Sequence, residues 1–469
     1  MKRAMMLGST LATWMFAATT VLAQNSLQQP QLVAPASLGD SYARQLAEVS
    51  PSDQQAEYLP AQIGAFTPTS FDDAVPAEVD AAATSDCGCE EASCGCEPSC
   101  GCDSGCNDGC GLFGDCCLGD AWTLKDETCP CSEHNFGGWI AAGYHSDETG
   151  LAFFGPLLDF NDVPDDFNFN QVWLYAEKAA EAECCSAGWG YRADIVYGTD
   201  AQKTQAFGNG DGSWDNTFDN GIYGWAIPQA YGEVAYGDWK VKVGHFWALV
   251  GYEVVPATGN FFYSHSLTFF NSEPFTHTGV LGEYTVDDKT KVHMGWVLGW
   301  DTGFDQFDGG NAFHGGVIHQ ASEDVNVSFM CTAGNFGLRS AGEPGYEQAV
   351  VVNTTLSENL NYVLETDYVH TNGFLADNEF HATDVSVVNY LFYTLNDCWK
   401  AGGRMEWWKS DTVTGESTSF YELTGGVNYR PHANVVIRPE IRYDWAPADE
   451  GVDDDYDRAI FGIDAVVTF

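Results

Sequence analysis

Residues 239–279 read WKVKVGHFWALVGYEVVPATGNFFYSHSLTFFNSEPFTHTG, and this stretch decides the fold. From 239 to 249, apolar and aromatic side chains alternate with a face that carries Lys240 and Lys242. Side chains alternate across a strand, so this pattern predicts a strand with one apolar and one cationic face. Residues 250–275 follow, rich in Phe and Tyr and without Lys or Arg. So long an irregular segment argues against a compact soluble domain but is normal for an outer loop of a membrane barrel.

The rest of the chain repeats this strand. Segments of about ten residues with alternating polarity are the sequence signature of outer-membrane strands. Val435–Trp445 places Arg438, Glu440, Arg442 and Asp444 on one face and apolar or aromatic residues on the other. The sequence predicts strands at 136–145, 168–180, 187–198, 224–236, 239–249, 276–286, 291–301, 312–320, 325–334, 347–356, 361–370, 382–395, 399–409, 419–430, 434–444 and 457–469.

The connections between these strands alternate in length. Short turns such as 237–238, 287–290 and 431–433 separate every second pair, and longer loops fill the other gaps. A barrel has short turns at its periplasmic end and long loops at its outer end. We therefore predict an all-β protein, a transmembrane antiparallel up-and-down β-barrel of about 16 strands over residues 135–469. Counts of 14 or 18 strands stay open.

Composition excludes one class of function. The chain has 469 residues, with 67 acidic against 19 basic side chains and a formal charge of -48. Nucleic-acid binding depends on Lys and Arg contacts to phosphate, so nucleic acid is not an expected partner. No segment after the N-terminus approaches the roughly 20 apolar residues of a membrane helix.

The N-terminal third differs from the barrel region. Lys2, Arg3 and an apolar run over 7–22 predict a signal peptide over residues 1–23, cleaved after Ala23. Residues 24–86 are rich in Ala, Gln, Ser and Pro, which predicts a disordered linker.

Residues 87–131 form a Cys-rich, low-complexity segment, called the Cys block here. In an exported chain disulfides are the first expectation. Clustered thiolate ligation of a soft metal and low-complexity drift without a function are the alternatives. The disulfide or metal candidates are Cys87, Cys89, Cys94, Cys96, Cys100, Cys102, Cys106, Cys110, Cys116, Cys117, Cys129 and Cys131.

Residues 135–469 resemble a known family, the putative beta-barrel porin family of OmpL-like outer-membrane proteins. The resemblance rests on Gly244-His245-Phe246, Gly251-Tyr252-Glu253, Phe262-Tyr263-Ser264-His265-Ser266 and Pro274-Phe275-Thr276-His277-Thr278-Gly279. Phe469 is similar to the carboxy-terminal aromatic residue of such barrels, which the resemblance implies aids insertion. The resemblance does not extend to residues 24–134.

Charged residues on the predicted strands are the candidate pore lining, because a lipid-facing cation costs about 2–4 kcal/mol at mid-depth. We expect the cations among them to face the lumen and to pair with the acids, forming a transverse field that screens solutes. Balanced packing of a polar lumen, whether or not solutes pass, is the alternative. The candidates are Arg192, Asp194, Lys240, Lys242, Arg404, Glu406, Glu422, Arg430, Arg438, Glu440, Arg442, Arg458 and Asp464.

Loop 250–275 is the candidate constriction. We expect it to fold inward, with Glu253, Phe262, Tyr263 and His265 as its key residues. An external cap or a lattice contact is the alternative. Acidic loops elsewhere do not fit the twelve-residue calcium pattern, so we expect a solvated acidic surface there.

Two functions remain. The first is an outer-membrane porin whose water-filled channel lets small hydrophilic solutes or ions diffuse with little selectivity. The second is a barrel-anchored structural or adhesive protein, cross-linked to the cell wall or a surface protein through the Cys block. The usual hydrolase, phosphate-loop and metalloprotease motifs are absent from the sequence, so we predict neither an enzyme nor a cofactor. Membrane lipid is the other expected partner, and association of three barrels stays open.

Overall fold

A computed structural model describes residues 118–125, 133–149, 159–182, 186–206, 214–215, 218–304, 306, 308–374, 379–411, 417–447 and 456–469. The predicted signal peptide and linker lie outside these residues. So do all twelve cysteines of the Cys block.

Sixteen strands form one antiparallel sheet that closes on itself, which confirms the predicted fold class and strand number. A two-residue strand, Asp219–Asn220, is added beside the fourth strand. The barrel strands are β1 Asn135–His145, β2 Asn168–Lys178, β3 Gly188–Gly198, β4 Tyr223–Tyr236, β5 Trp239–Trp247, β6 Thr276–Asp287, β7 Thr290–Val297, β8 Asn311–Ser322, β9 Val325–Asn335, β10 Pro344–Ser357, β11 Leu360–Thr371, β12 Ala382–Asn396, β13 Trp399–Ser410, β14 Thr418–His432, β15 Val435–Trp445 and β16 Asp457–Thr468.

The strand ends differ from the sequence prediction by a few residues. The predicted strand 239–249 ends at Trp247, and 291–301 ends at Val297. In both cases the chain leaves the ladder early because the following residues belong to long loops. At the second strand end, Trp300 donates its N–H to Phe336 O rather than to a neighbouring strand.

Closure joins the two ends of the barrel region. β1 pairs with β16 from Trp139–Thr468 to His145–Gly462. The main chains of Gly138 and Phe469 exchange hydrogen bonds in both directions, at 3.0 and 2.9 Å. With β1 also paired to β2, the sheet has no free edge at this seam.

Alternation separates an apolar outside from a charged inside. On β15, Arg438, Glu440, Arg442 and Asp444 are buried inside, whereas Ile441 between them is 65% exposed on the outside. The outward face is apolar around the ring, as lipid contact requires. Its exposed members include Leu174, Ile195, Val243, Val280, Met294, Phe313, Leu391, Met405, Leu423, Ile441 and Phe461.

Helices are short and lie in loops. They are α1 Thr199–Thr204 and α2 Leu267–Ser272, with 3-10 turns at Ala257–Gly259 and Gly337–Ser340. Within the described residues, no helix has the length and apolar character to cross a membrane.

The seam gives a test of closure. A Cβ on Gly138 would lie 2.0 Å from Trp173 O and 2.9 Å from the Phe469 ring, so Gly138→Ala must push backbone apart. We expect a loss of about 1–3 kcal/mol, seen as a lower temperature at which the folded band disappears in heat-modifiability gels. Gly425→Ala is the matched control, because a Cβ there meets nothing within 4 Å. Equal behaviour of the two variants would contradict the described seam.

Candidate functional site

The loop between β5 and β6, residues 248–275, is called the constriction loop here. It leaves the barrel wall at β5, and its middle contacts β13, which is eight strands away in either direction around the ring. Two strands separated by half of the ring face each other across a barrel. The constriction loop therefore crosses the whole lumen before it returns to β6.

The loop has little regular structure, so its backbone N–H groups need partners other than a ladder. Carboxylates of the wall supply several of them. Glu440 accepts from Tyr263 N at 2.9 Å and from Ser264 N at 3.1 Å. Glu406 accepts from Leu267 N and Thr268 N, both at 2.6 Å. The wall acids therefore hold the middle of the loop by its main chain.

Wall arginines satisfy the carbonyl groups of the same loop. Arg438 Nη1 donates to Ala257 O and to Asn260 O, each at 2.8 Å. Arg442 Nη1 donates to His265 O. Since carbonyl and amide groups alternate along a backbone, a wall with both signs of charge can bind it without leaving polar groups unpaired.

Arg404 joins the wall and the loop most extensively. Its guanidinium is fully buried and contacts Glu422 at 2.7 Å on the wall and Glu253 at 2.6 Å on the loop. It also donates to Ser264 O at 2.8 Å and to Ser264 Oγ at 3.2 Å. A planar guanidinium with donors at fixed angles can bind these separate partners at once, which a single ammonium group would do less precisely.

Glu253 is the loop's own acidic partner. Burial opposes its ionisation, but the Arg404 guanidinium outweighs that cost, and the pKa of Glu253 falls to about 2. His265 Nδ1 lies 3.3 Å from Glu253 Oε2, while burial lowers the pKa of His265. The ion pair at neutral pH is therefore the one between Glu253 and Arg404.

Apolar contacts also hold the constriction loop inside the barrel. Phe262 packs with wall residues that include Val351, Val363, Val388 and Tyr390. The His265 ring stacks on Phe269 with centroids 4.4 Å apart. Tyr263 adds a polar contact, because its hydroxyl donates to Asn170 Oδ1 on β2 at 3.3 Å. All four loop residues singled out in the sequence thus lie inside the barrel.

The structure brings together six of the predicted pore-lining residues under the loop: Arg404, Glu406, Glu422, Arg438, Glu440 and Arg442. Asp464 pairs with Arg438 at 2.5 Å and belongs to the same face. These residues contact the loop backbone or one another. Their side chains are buried rather than facing open lumen.

The other candidates are dispersed. Arg192 pairs with Asp194 and Glu177, both at 2.5 Å. Lys240 lies 3.8 Å from Glu233, and the Lys242 ammonium lies 4.8 Å from the centre of the Tyr231 ring.

Two of the dispersed arginines lie near the barrel ends. Arg430 donates to Ala433 O at 2.9 Å beside a short turn, and Arg458 pairs with Asp147 at 2.7 Å beside a long loop.

Sequence reasoning missed several loop partners. Asp301 accepts from Phe275 N at 2.5 Å and Thr276 N at 2.8 Å, and Glu365 accepts from Tyr252 N at 2.6 Å. Glu365 shares the inward face of β11 with Val363 and Val369, two and four residues away, so its orientation was readable from the period of two. Its contact with a loop more than a hundred residues earlier was not.

A cysteine at the short-turn end carries a covalent link. Cys398, in the turn between β12 and β13, is disulfide-bonded and only 1% exposed. Cys331, the other cysteine among the described residues, is free. The partner of Cys398 therefore lies outside the described residues.

The segment 118–125 binds the neighbouring turn. Ala433 N donates to Leu118 O at 3.0 Å, and Trp122 N donates to Asn434 Oδ1 at 2.7 Å. Asn434 Nδ2 donates to Trp122 O at 2.6 Å and to Thr468 O at 3.1 Å. In the next turn around the ring, Arg430 N donates to Cys398 O at 2.8 Å.

A closed sixteen-strand barrel with an apolar outside, a charged inside and a loop across its lumen defines a porin-type outer-membrane protein. Residues 133–469 match the family described as "Putative beta-barrel porin-2, OmpL-like", and the chain belongs to that family. This confirms the resemblance drawn from the sequence. The family and the fold point to the outer membrane and to a channel rather than an enzyme.

Solved structures with a similar fold include porins and channels of low sequence identity. The outer membrane channel DcaP of Acinetobacter baumannii is 14% identical with a TM-score of 0.49, covering 72% of this chain and 97% of that chain. OmpT of Vibrio cholerae in its trimer form is 13% identical with a TM-score of 0.48, covering 72% and 99%. An anion-selective porin from Comamonas acidovorans is 8% identical with a TM-score of 0.48, covering 72% and 99%. Among curated proteins, none matches this sequence.

Arg404 gives the sharpest test of the site. Arg404→Gln leaves Glu253 and Glu422 buried without their cation, so we expect a loss of about 3–5 kcal/mol in stability. Thermal unfolding followed by circular dichroism measures it. The control is Arg458→Gln, because Arg458 pairs with carboxylates that are 44% and 34% exposed and such pairs contribute about 1 kcal/mol or less. A shift no larger than the control's would contradict the role given to Arg404.

Proposed function

We propose that the protein is an outer-membrane porin for passive diffusion of small hydrophilic solutes. The predicted signal peptide would direct its export toward the outer membrane. The observation that carries the proposal is the constriction loop, which crosses a closed sixteen-strand barrel and is held by wall charges on the far side. A barrel of this size leaves an aqueous channel. A loop fixed within it narrows the channel and selects by size and charge.

We further propose a preference for cations. Among the described residues, the buried charged side chains of the barrel strands comprise ten carboxylates and three arginines. They are Asp194, Glu347, Glu365, Asp367, Asp384, Glu406, Glu422, Glu440, Asp444 and Asp464, against Arg404, Arg438 and Arg442. The formal charge of -48 for the chain acts in the same direction. A negative wall concentrates cations at the constriction.

Planar-bilayer recording of the refolded full chain tests this function. We expect stepwise openings whose conductance grows with salt, and a reversal potential in a KCl gradient that reports cation preference. Arg404→Gln should raise the conductance of each step, because it loosens the loop. A folded, heat-modifiable barrel that never conducts would contradict the channel and favour the structural anchor.

A second proposal concerns the Cys block, because Cys398 is disulfide-bonded to a cysteine outside the described residues. We infer that this partner is Cys116 or Cys117, which directly precede Leu118. Leu118 O accepts a hydrogen bond on the turn next to that of Cys398. Cys117 is one residue and Cys116 two residues from Leu118, and each residue of chain spans at most about 3.3–3.6 Å. The bond ties the Cys block to the short-turn end of the barrel and leaves its other cysteines for cross-links to surface partners.

Peptide mapping under non-reducing conditions tests the tether. We expect a linked peptide that contains Cys398 together with Cys116 or Cys117 and that separates on reduction. Cys331 serves as the internal control, since it should be alkylated without reduction. Recovery of Cys398 joined to Cys184 or Cys185 would contradict the assignment.

Association of three barrels, as in the trimer form of OmpT, is part of the same proposal. Cross-linking of the protein in detergent should give a band at three times the mass of the chain.

A further inference from the structure

Three carboxylates meet where the constriction loop returns to the wall, and a fourth lies on the adjacent strand. Glu273 comes from the loop, Glu365 and Asp367 from β11, and Glu347 from the adjacent strand β10. One oxygen from each of Glu273, Glu365 and Asp367 lies within 4.8 Å of the others. Glu347 is paired in register with Val369, which follows Asp367 on the same inward face of β11. All four side chains are at least nine-tenths buried.

Several oxygens of this cluster have no hydrogen-bond donor among the described residues. Neither oxygen of Glu273 has a hydrogen-bond donor, and neither has Oδ1 of Asp367. Among the described residues, two arginines of this region form their ion pairs with other carboxylates. Arg404 pairs with Glu253 and Glu422, and Arg339 pairs with Asp384. Buried charges are normally paired or bind metal ions, because an isolated one is expensive.

The remaining oxygens are held in place. Tyr252 N donates to Glu365 Oε1 at 2.6 Å, and the Tyr390 hydroxyl donates to Glu365 Oε2 at 3.1 Å. Gly251 lies directly against Glu273: a Cβ there would be 2.1 Å from Glu273 Oε2. Its φ of +80° is also one that favours glycine. The loop is thus shaped so that Glu273 can turn into the cluster.

We propose that Glu273, Glu365 and Asp367, with Glu347 beside them, bind a divalent cation, Ca²⁺ in the first instance. Clustered carboxylate oxygens are the ligands of hard cations, and Ca²⁺ accepts their irregular geometry more readily than Mg²⁺. The ion joins the end of the constriction loop to β11 and so fixes the loop at this point, as Arg404 does at its middle. This inference is independent of whether solutes pass through the channel.

A shared proton is the competing way to hold such a cluster. Burial, together with the charges of Glu365, Asp367 and Glu347, raises the pKa of Glu273 well above its usual range. A proton would neutralise one carboxylate and leave the others repelling. A divalent ion offsets two negative charges and binds all three clustered carboxylates. A chelator would destabilise the protein if an ion holds the cluster, whereas mild acid would stabilise it if a proton does.

Two measurements on the full refolded chain test the site. The first is the thermal unfolding midpoint in EDTA and in Ca²⁺. The second is Tb³⁺ emission sensitised through Tyr390 and Tyr252, with Ca²⁺ as competitor. We expect Ca²⁺ to raise the midpoint of the wild type and to displace Tb³⁺.

Glu273→Gln and Asp367→Asn should each lose most of the Ca²⁺ increment and bind Ca²⁺ at least about tenfold more weakly, the scale on which even supporting carboxylates affect metal sites. In EDTA each variant should unfold at a higher temperature than the wild type, because repulsion is relieved. Asp308→Asn, in an acidic loop away from the cluster, is the control and should respond to Ca²⁺ as the wild type does.

Several results would overturn the proposal. One is an absence of any Ca²⁺ effect on the wild type, and another is an equal Ca²⁺ increment in Glu273→Gln and Asp367→Asn. Stabilisation of the wild type by mild acid in EDTA, with no response to Ca²⁺, would assign the cluster to a shared proton.

Discussion

An irregular backbone inside a barrel must have every polar group satisfied, and the constriction loop depends on this constraint. The strands cannot supply its partners, because their own N–H and C=O groups are used in closing the barrel. Side chains must therefore do so. Carboxylates such as Glu440 and Glu406 accept from the loop's N–H groups, and arginines such as Arg438 donate to its carbonyls. The first role of the charged wall residues is thus to bind the backbone of the constriction loop.

This arrangement links charge balance to geometry. Each arginine that binds a loop carbonyl also neutralises a wall carboxylate: Arg438 with Asp464, Arg442 with Asp444 and Arg404 with Glu422. Removing one of these arginines would therefore cost the loop a backbone contact and would also leave a buried wall carboxylate without its cation. The cluster of Glu273, Glu365 and Asp367 differs, because none of the ion pairs among the described residues involves these three carboxylates.

Much of the fold was predictable because it follows from short-range patterns. The alternation of polar and apolar residues on segments such as Val435–Trp445 predicts the strands. The alternation of short and long connections predicts their up-and-down arrangement in a barrel. The inward orientation of Glu365 and Asp367 follows from the same period of two. Their meeting with Glu273 was not predictable, because a period gives a face but neither the depth in the barrel nor the path of a loop. Strand ends such as Trp247 were displaced for the same reason: the loop that follows them pulls residues away from the ladder.

Asn434 has a consequence for the order of assembly. Its side-chain amide binds the segment at Trp122 and the last strand at Thr468 together. The binding position for the N-terminal segment is complete only after β16 has taken its place beside β15. Residues 118–125 therefore reach their full set of contacts only once the last strand is in place, and the docked segment in turn stabilises the pairing of β15 with β16.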